Sequence, residues 1–402
     1  MLNKLFLLCC FFPFVSPFPI GSDIQPLAGI LAAFIVLRKA VSEKTFKPLL
    51  LIALFVPIFL LAYNNPFSRF LEIDVGKLVS LSFGAFIIVG FYYAKHELSN
   101  KLFICIVSFY LLFTILLLLF TEPMIAIQNL VIRNTNATDY TYRGVATLVT
   151  EPGLFGGLLV FFLIITDYLY KYKNMSKITK YIIYGMVIFM LLMTKSGTGY
   201  LYFIIYIGIK YFTGEYKLRY KLAFFPLIVL VGGVVFLFGH QIGVGAFGRG
   251  ADVIIQLADP TSLMLSDSSI LTRVVDFYLG LVSIFHYPFG VGNTAALNKA
   301  EQLMAVTPFV QNFYMNTGKA FGSNSSFTML TISYGLLFWL YLLFLFCYVS
   351  NSSASAKFFA FLYLSVSYSA AFPAIWILIA LHIRGESKIS NRKDTVNEVS
   401  QK

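Results

Sequence analysis

The sequence predicts an all-α polytopic membrane protein of about twelve transmembrane helices with one large loop on one side. Three observations carry this. The 402-residue chain is 58% hydrophobic and only 12% charged, where a soluble domain carries about a quarter charged residues. Runs such as 102–120 hold no charged residue at all, and ~20 apolar residues suffice to cross a bilayer. Finally, lysines and arginines fall unequally on alternate loops.

Taken in order, apolar segments lie near 5–19, 26–37, 48–62, 78–93, 102–120, 153–169, 181–193, 198–212, 222–238 and 325–348. The first carries Lys4 and an apolar core like a secretion signal. Pro13, Pro17 and Pro19 follow it where a small-residue cleavage site would stand, so it reads as a membrane segment. A last tract, 358–384, spans ~40 Å as one helix at 1.5 Å per residue. Ala370-Ala371-Phe372-Pro373 is the natural turn within it, which gives two short helices. Domain organisation follows: 1–384 is one transmembrane unit containing a large loop at 239–324, and 385–402 is a basic tail.

One set of loops holds Lys4, Arg38, Lys39, Lys95, Lys101, Lys171, Lys173, Lys177, Lys180, Lys210, Lys217 and Lys357 among its cations. The other holds Arg69, Lys77, Arg133, Arg143, Lys195, Arg249, Arg273, Lys299 and Lys319. The first set is the richer, more so with the tail's Arg384, Lys388, Arg392 and Lys393 added. By the positive-inside rule both termini are then cytoplasmic. The net charge of +12 is thereby an orientation device beside anionic lipid, and nucleic acid is excluded as a partner. Cys9, Cys10, Cys105 and Cys347 all fall in apolar segments, which argues against a disulfide framework or a metal site.

The outward side gathers the polar signals. Tyr142-Arg143-Gly144 and Glu151-Pro152-Gly153 stand at the mouth of a long apolar segment, where charges are costly unless paired or facing a wet cavity. Pro152 and Gly153 also suit an ordinary loop entering a helix. Thr194-Lys195-Ser196-Gly197-Thr198-Gly199 joins two short segments with almost no loop. Irregular backbone at that depth survives only where it is buried in protein or lines a cavity, so Lys195 either snorkels to the interface or faces an anion. In the large loop, glycines 239, 243, 245, 248 and 250 surround Arg249. Helical spacing over Ile270–Phe285 places Arg273 three residues from Asp276, where an ion pair is one reading. Pro288-Phe289-Gly290-Val291-Gly292-Asn293 ends that helix, and Ser323-Asn324-Ser325-Ser326 opens the next, as a helix N-cap would.

This cation-rich set (Arg143, Lys195, Arg249, Arg273) with one well-placed carboxylate, Glu151, has no His-x-x-x-His, cysteine cluster or nucleotide-binding loop beside it. Neither metal nor other cofactor is expected. The residues suit a substrate that brings its own leaving group, such as a lipid-linked pyrophosphate, since arginine forks hold phosphate oxygens and stabilise released charge. A carboxylate, or His240 or His286, could take the proton of an attacking hydroxyl.

In four places the chain resembles the bacterial O-antigen and capsule polymerase / O-antigen ligase superfamily. Arg143-Gly144…Glu151-Pro152-Gly153 resembles an Arg-x-x-Gly…Glu-Pro segment. Thr194–Gly199 resembles a Ser-(Arg/Lys)-Thr-Gly turn. Arg273 followed by Pro288-Phe289-Gly290-Val291-Gly292 resembles Arg…Pro-x-Gly-x-Gly, and Asn324-Ser325-Ser326-Phe327…Gly335 resembles a His-Asn-Ser-(Tyr/Phe)…Gly entry. Gly197 stands where the family often has a base. Asn324 stands where the ligase branch has its histidine, which points to the polymerase branch.

The resemblance implies a GT-C-like bundle in the bacterial inner membrane with a periplasmic loop. It would perform metal-free glycosyl transfer between undecaprenyl-pyrophosphate-linked oligosaccharides, with a chain-length regulator protein as a further partner. It implies catalytic roles for Arg143, Glu151 and Arg273, and substrate contacts from Lys195, Arg249, Asn324, Tyr142 and Asn293. The rivals are the ligase and a flippase of the same lipid-linked sugar; a flippase would predict internal repeats, and none is evident.

Overall fold

The computed structural model of the chain describes residues 1–16, 24–42, 75–132, 144–213, 268–292, 295–307, 326–366 and 369–383. Their regular structure is helical: α1 (Leu2–Phe11), α2 (Leu27–Ser42), α3 (Val75–Ala94), α4 (Asn100–Leu119), α5 (Thr121–Val131), α6 (Pro152–Tyr172) and α7 (Lys177–Met193) come first. Then follow α8 (Gly197–Thr213), α9 (Ser268–His286), α10 (Ala296–Ala305), α11 (Ser326–Tyr334), α12 (Leu336–Leu343, continuing as a π-turn to Val349), α13 (Ala354–Val366) and α14 (Pro373–Ala380). The expected segments 48–62 and 222–238 lie outside the described residues.

Of the twelve crossings expected, the described residues supply two helices long and apolar enough to cross a membrane, α4 and α6. A third crossing is available if the bent pair α11–α12 counts as one span. The two differ in place. In α6, 78% of the apolar window is buried, against 39% in α4, so α6 is the central helix and α4 a peripheral one. Phe109, Leu112, Leu118 and Leu119 of α4 are exposed, an apolar strip of the kind that marks a membrane or protein contact.

Three segments depart from the sequence expectation. The first, 5–19, is helical only to Phe11 within its described residues 5–16, because Pro13 cannot continue a helix and Gln25 Nε2 takes up the freed carbonyls of Cys9 and Phe12 at 3.2 and 3.1 Å. Ten residues make ~15 Å of helix, half a bilayer core. The second, 325–348, is not one straight helix. It breaks at Gly335, which has φ 56° and ψ −135°, and its halves meet at 117°. Only glycine holds that backbone without strain, and a Cβ there would lie 2.2 Å from Pro288 O. The third, within the stretch read as loop, is α5, a helix following directly on α4.

The last tract is the hairpin its turn residues suggest. Pro373 sits at the start of α14, where its missing N–H is no loss. The turn closes through Phe372 N–H to Ser369 O at 2.8 Å. All eight residues of α14 are buried. Trp376 packs on Gly84 of α3 and donates to Ala370 O at 2.6 Å.

The described cations of the richer set gather at one end. Asn3 donates to Glu97 at 3.1 Å, Lys173 Nζ reaches His96 O at 3.5 Å, and the Tyr172 ring lies 4.1 Å from that of His382. Lys39 and Lys95 sit over the rings of Tyr93 and Tyr92. The starts of α6, α8 and α9 lie at the opposite end.

Candidate functional site

The site is built on two parallel helices. Gly156 of α6 meets Gly199 of α8, so closely that a Cβ on Gly156 would lie 2.4 Å from Gly199 Cα. Eleven residues further along α6, Asp167 meets Tyr206 and Lys210 of α8. The two helices therefore run the same way, the chain returning through α7, and both N-termini open at the same end. An α-helix N-terminus carries roughly half a positive charge and unpaired N–H groups.

Local sequence explains each start. Glu151 takes the extended N-cap conformation and Pro152 the first helical position, which its fixed φ suits. At α8, Ser196 Oγ accepts from Gly199 N at 3.3 Å, a serine cap. The reversal from α7 passes through Lys195 at φ 46°, left-handed for a non-glycine residue, a strain of a kind that clusters at functional sites and costs of order 1–3 kcal/mol. Thr194, fully buried, steadies the turn by donating to Leu191 O at 2.7 Å and accepting from Ser196 N at 3.3 Å.

The segment before α6 docks on this turn. Val145 N donates to Met193 O at 3.0 Å. Gly144, at φ 79°, lies so close to Thr194 that a Cβ would stand 2.1 Å from its carbonyl oxygen. Gln128 of α5 donates to Thr147 O and ties the same segment down from the other side. A Cβ on Gly153 would in turn sit 3.5 Å from Ser196 Oγ and 3.7 Å from Thr198 Cβ.

Onto these starts comes Arg273 of α9, whose Nη1 donates to Thr198 Oγ1 at 3.0 Å. The structure thus brings together three of the sequence-derived stretches: 144–153 with half-buried Glu151, 194–199 with half-buried Lys195, and Arg273. Asp276, one turn beyond Arg273, is buried, and its backbone carbonyl accepts from Thr328 Oγ1. This contact docks α9 on the start of α11.

The Pro288–Gly292 stretch is not brought to the same place. Val291 N and Gly292 N donate to Ile332 O and Ser333 O, both at 3.0 Å, and Leu336 N to Pro288 O at 2.7 Å. That stretch braces the bend at Gly335. His286, one of the named proton acceptors, is exposed at the far end of α9, thirteen residues or about 20 Å of helix from Arg273, and does not share the site. Tyr142, Arg143, Arg249, Asn293, Asn324 and His240 lie outside the described residues.

Thr198 and the Gly156–Gly199 contact were not singled out from sequence. The signal was present in the shared small-residue character of Gly153-Leu154-Phe155-Gly156 and Ser196-Gly197-Thr198-Gly199, since small residues let helices approach closely in membranes. Chemically, two helix N-termini with a guanidinium bonded at one of them can hold an anion and stabilise negative charge that grows on it. Comparisons with family models, with curated proteins and with solved structures find no match.

Proposed function

We propose that the protein polymerises lipid-linked oligosaccharide repeat units, undecaprenyl-pyrophosphate-borne, at the outer leaflet of a bacterial inner membrane. In this reading the chain crosses twelve times in a GT-C-like bundle, both termini are cytoplasmic, and 239–324 is periplasmic. The observation that carries it is the delivery of Arg273 to Thr198, at the paired starts of α6 and α8.

The reaction needs no outside fuel. A hydroxyl on the non-reducing sugar of the acceptor unit attacks the anomeric carbon of the donor chain. The bond from that carbon to the pyrophosphate oxygen breaks, and its electron pair leaves with the pyrophosphate. Arg273 and Arg143 hold the departing oxygens, with the helix N-termini and Lys195 adding positive potential. Glu151 positions the attacking hydroxyl or takes its proton. Arg249, Tyr142, Asn293 and Asn324 are the further substrate-contacting residues in this reading.

The test is a polysaccharide ladder from cells with and without the gene, and from Arg143→Ala and Arg273→Ala strains. Loss of the ladder with single repeat units still attached to the acceptor, at normal protein abundance, is the expected outcome. Full-length polymer from both variants would refute the site. Polymer accumulating on its lipid carrier would indicate a ligase, and units retained on the cytoplasmic face a flippase.

A further inference from the structure

The end of the bundle opposite the candidate site carries a second charged cluster, built by α6, α7 and α8. Asp167 accepts from Lys180 Nζ at 2.8 Å, from Lys210 Nζ at 2.8 and 3.0 Å, from Tyr184 OH at 2.7 Å and from Tyr206 OH. Tyr184 and Tyr206 hydroxyls are also 2.8 Å apart, and Lys210 Nζ is 2.6 Å from Tyr184 OH. A carboxylate offers about four lone-pair directions, so Asp167 is saturated.

Among the described residues the charge of this cluster does not balance. One carboxylate faces two ammoniums, and both lie within 3.0 Å of the same Oδ1, which holds two like charges within about 6 Å of each other. A structural clamp between helices needs one lysine; the second adds repulsion. The cluster is open on one side, with the Asp167, Lys180 and Lys210 side chains 28%, 15% and 30% exposed.

The surroundings say what fills that side. Lys180 lies 4.3 Å from the Tyr170 ring, and Tyr170, Tyr172 and Tyr181 are exposed, as aromatic side chains are at headgroup depth. Exposed Ile182 on α7 and Ile204 on α8 face outward nearer the middle of the same helices. An anion at that depth, beside acyl chains, is a lipid phosphate. Lysines bind phosphate as point charges without demanding a planar partner, and basic clusters at this position attract anionic lipid.

We propose that Lys180 and Lys210, held by Asp167, bind the phosphodiester headgroup of an anionic phospholipid in the leaflet at this end of the bundle. The inference rests on the charge arrangement and its aromatic and apolar surroundings and stands apart from the function proposed above. Full-length protein purified in detergent is titrated with phosphatidylglycerol or phosphatidylethanolamine, with bound lipid counted by native mass spectrometry and stability followed by thermal melting.

Phosphatidylglycerol should be retained preferentially and raise the melting temperature. Lys180→Gln leaves a neutral Asp167–Lys210 pair and should weaken that retention about fivefold. Should this variant fail to fold, Lys210→Gln leaves the neutral Asp167–Lys180 pair and is read in the same way. Unchanged retention in the folded variant, equal retention of phosphatidylethanolamine, or the same stabilisation by inorganic phosphate alone would each overturn the assignment.

Discussion

Replacing Gly156 by alanine tests the geometry on which the candidate site depends. The added Cβ would stand 2.4 Å from the Gly199 Cα, a backbone atom, where ordinary contact begins at 3.4 Å. Helices α6 and α8 must therefore part by about 1 Å, because no side chain can rotate away to make room. Overpacking of this kind costs about 1–3 kcal/mol. The reverse substitution is milder: a Cβ on Gly199 would meet Gly156 Cα at 3.1 Å and the flexible Leu191 Cδ1 at 3.3 Å, so a few tenths of an ångström suffice. The same parting carries Thr198, the residue before Gly199, and its bound Arg273 away from Gly153, one turn before Gly156. A misplacement of about 1 Å can lower a rate on the order of 100-fold. The assays are thermal melting of purified protein and the polysaccharide ladder of complemented cells, at matched abundance. Gly156→Ala should lower the melting temperature and collapse the ladder, and Gly199→Ala should come close to wild type. Wild-type melting and ladder in Gly156→Ala, or greater damage from Gly199→Ala, would refute the packing argument. Loss of melting stability alone would leave the packing intact and count against the site.

Three further perturbations read other parts of the structure. Thr198→Val removes the acceptor for Arg273 while keeping shape, and polymer output should fall about tenfold with melting unchanged, the loss expected for one hydrogen bond to a charged donor; an unaltered chain-length distribution would contradict it. Gly335→Ala forces a Cβ to within 2.2 Å of Pro288 O at a backbone conformation reserved for glycine. It should destabilise by at least about 1–3 kcal/mol, seen as a lowered melting temperature that Phe344→Ala, remote from the bend, does not produce. Asp167→Asn leaves Lys180 and Lys210 as unbalanced neighbours and should cost about 1–3 kcal/mol, less than a fully buried pair because the cluster is partly exposed. Adding Lys180→Gln should recover part of that loss, and a double variant no more stable than the single one would show that repulsion is not the cause.

Much of the secondary structure was legible in the residue pattern. The uncharged run 102–120 becomes α4, Pro152-Gly153 opens α6, the Thr194–Gly199 turn separates α7 from α8, and Ala370–Pro373 folds the last tract into a hairpin. The departures have a common origin. The breaks at Pro13 and Gly335 lie inside the apolar runs 5–19 and 325–348, and apolarity measures only transfer into lipid and does not see a backbone break. Helix α5 was missed for the complementary reason. It carries Glu122, Gln128 and Asn129 among its apolar residues and is too short to stand out as a span.

The candidate site was legible in its members, less so in its assembly. Glu151, Lys195 and Arg273 were named from residue type and position. Thr198 was not, since nothing local distinguishes a threonine that receives a guanidinium 75 residues away from one that caps a helix. The same holds for Asp167, which reads from sequence as a charge near the end of a span. Its two lysines arrive 13 and 43 positions later.

By itself, the sequence determined the helical class, the apolar stretches and the sorting of cations into two sets. These follow from composition and short-range pattern, since hydrophobic transfer and backbone satisfaction in lipid act residue by residue. The tertiary structure decided which helix starts share an end, which glycines touch and which carboxylate holds two lysines. Those depend on the rotation and register of each helix about its axis, and lipid, being as apolar as the side chains, leaves both to close packing and hydrogen bonding between distant segments.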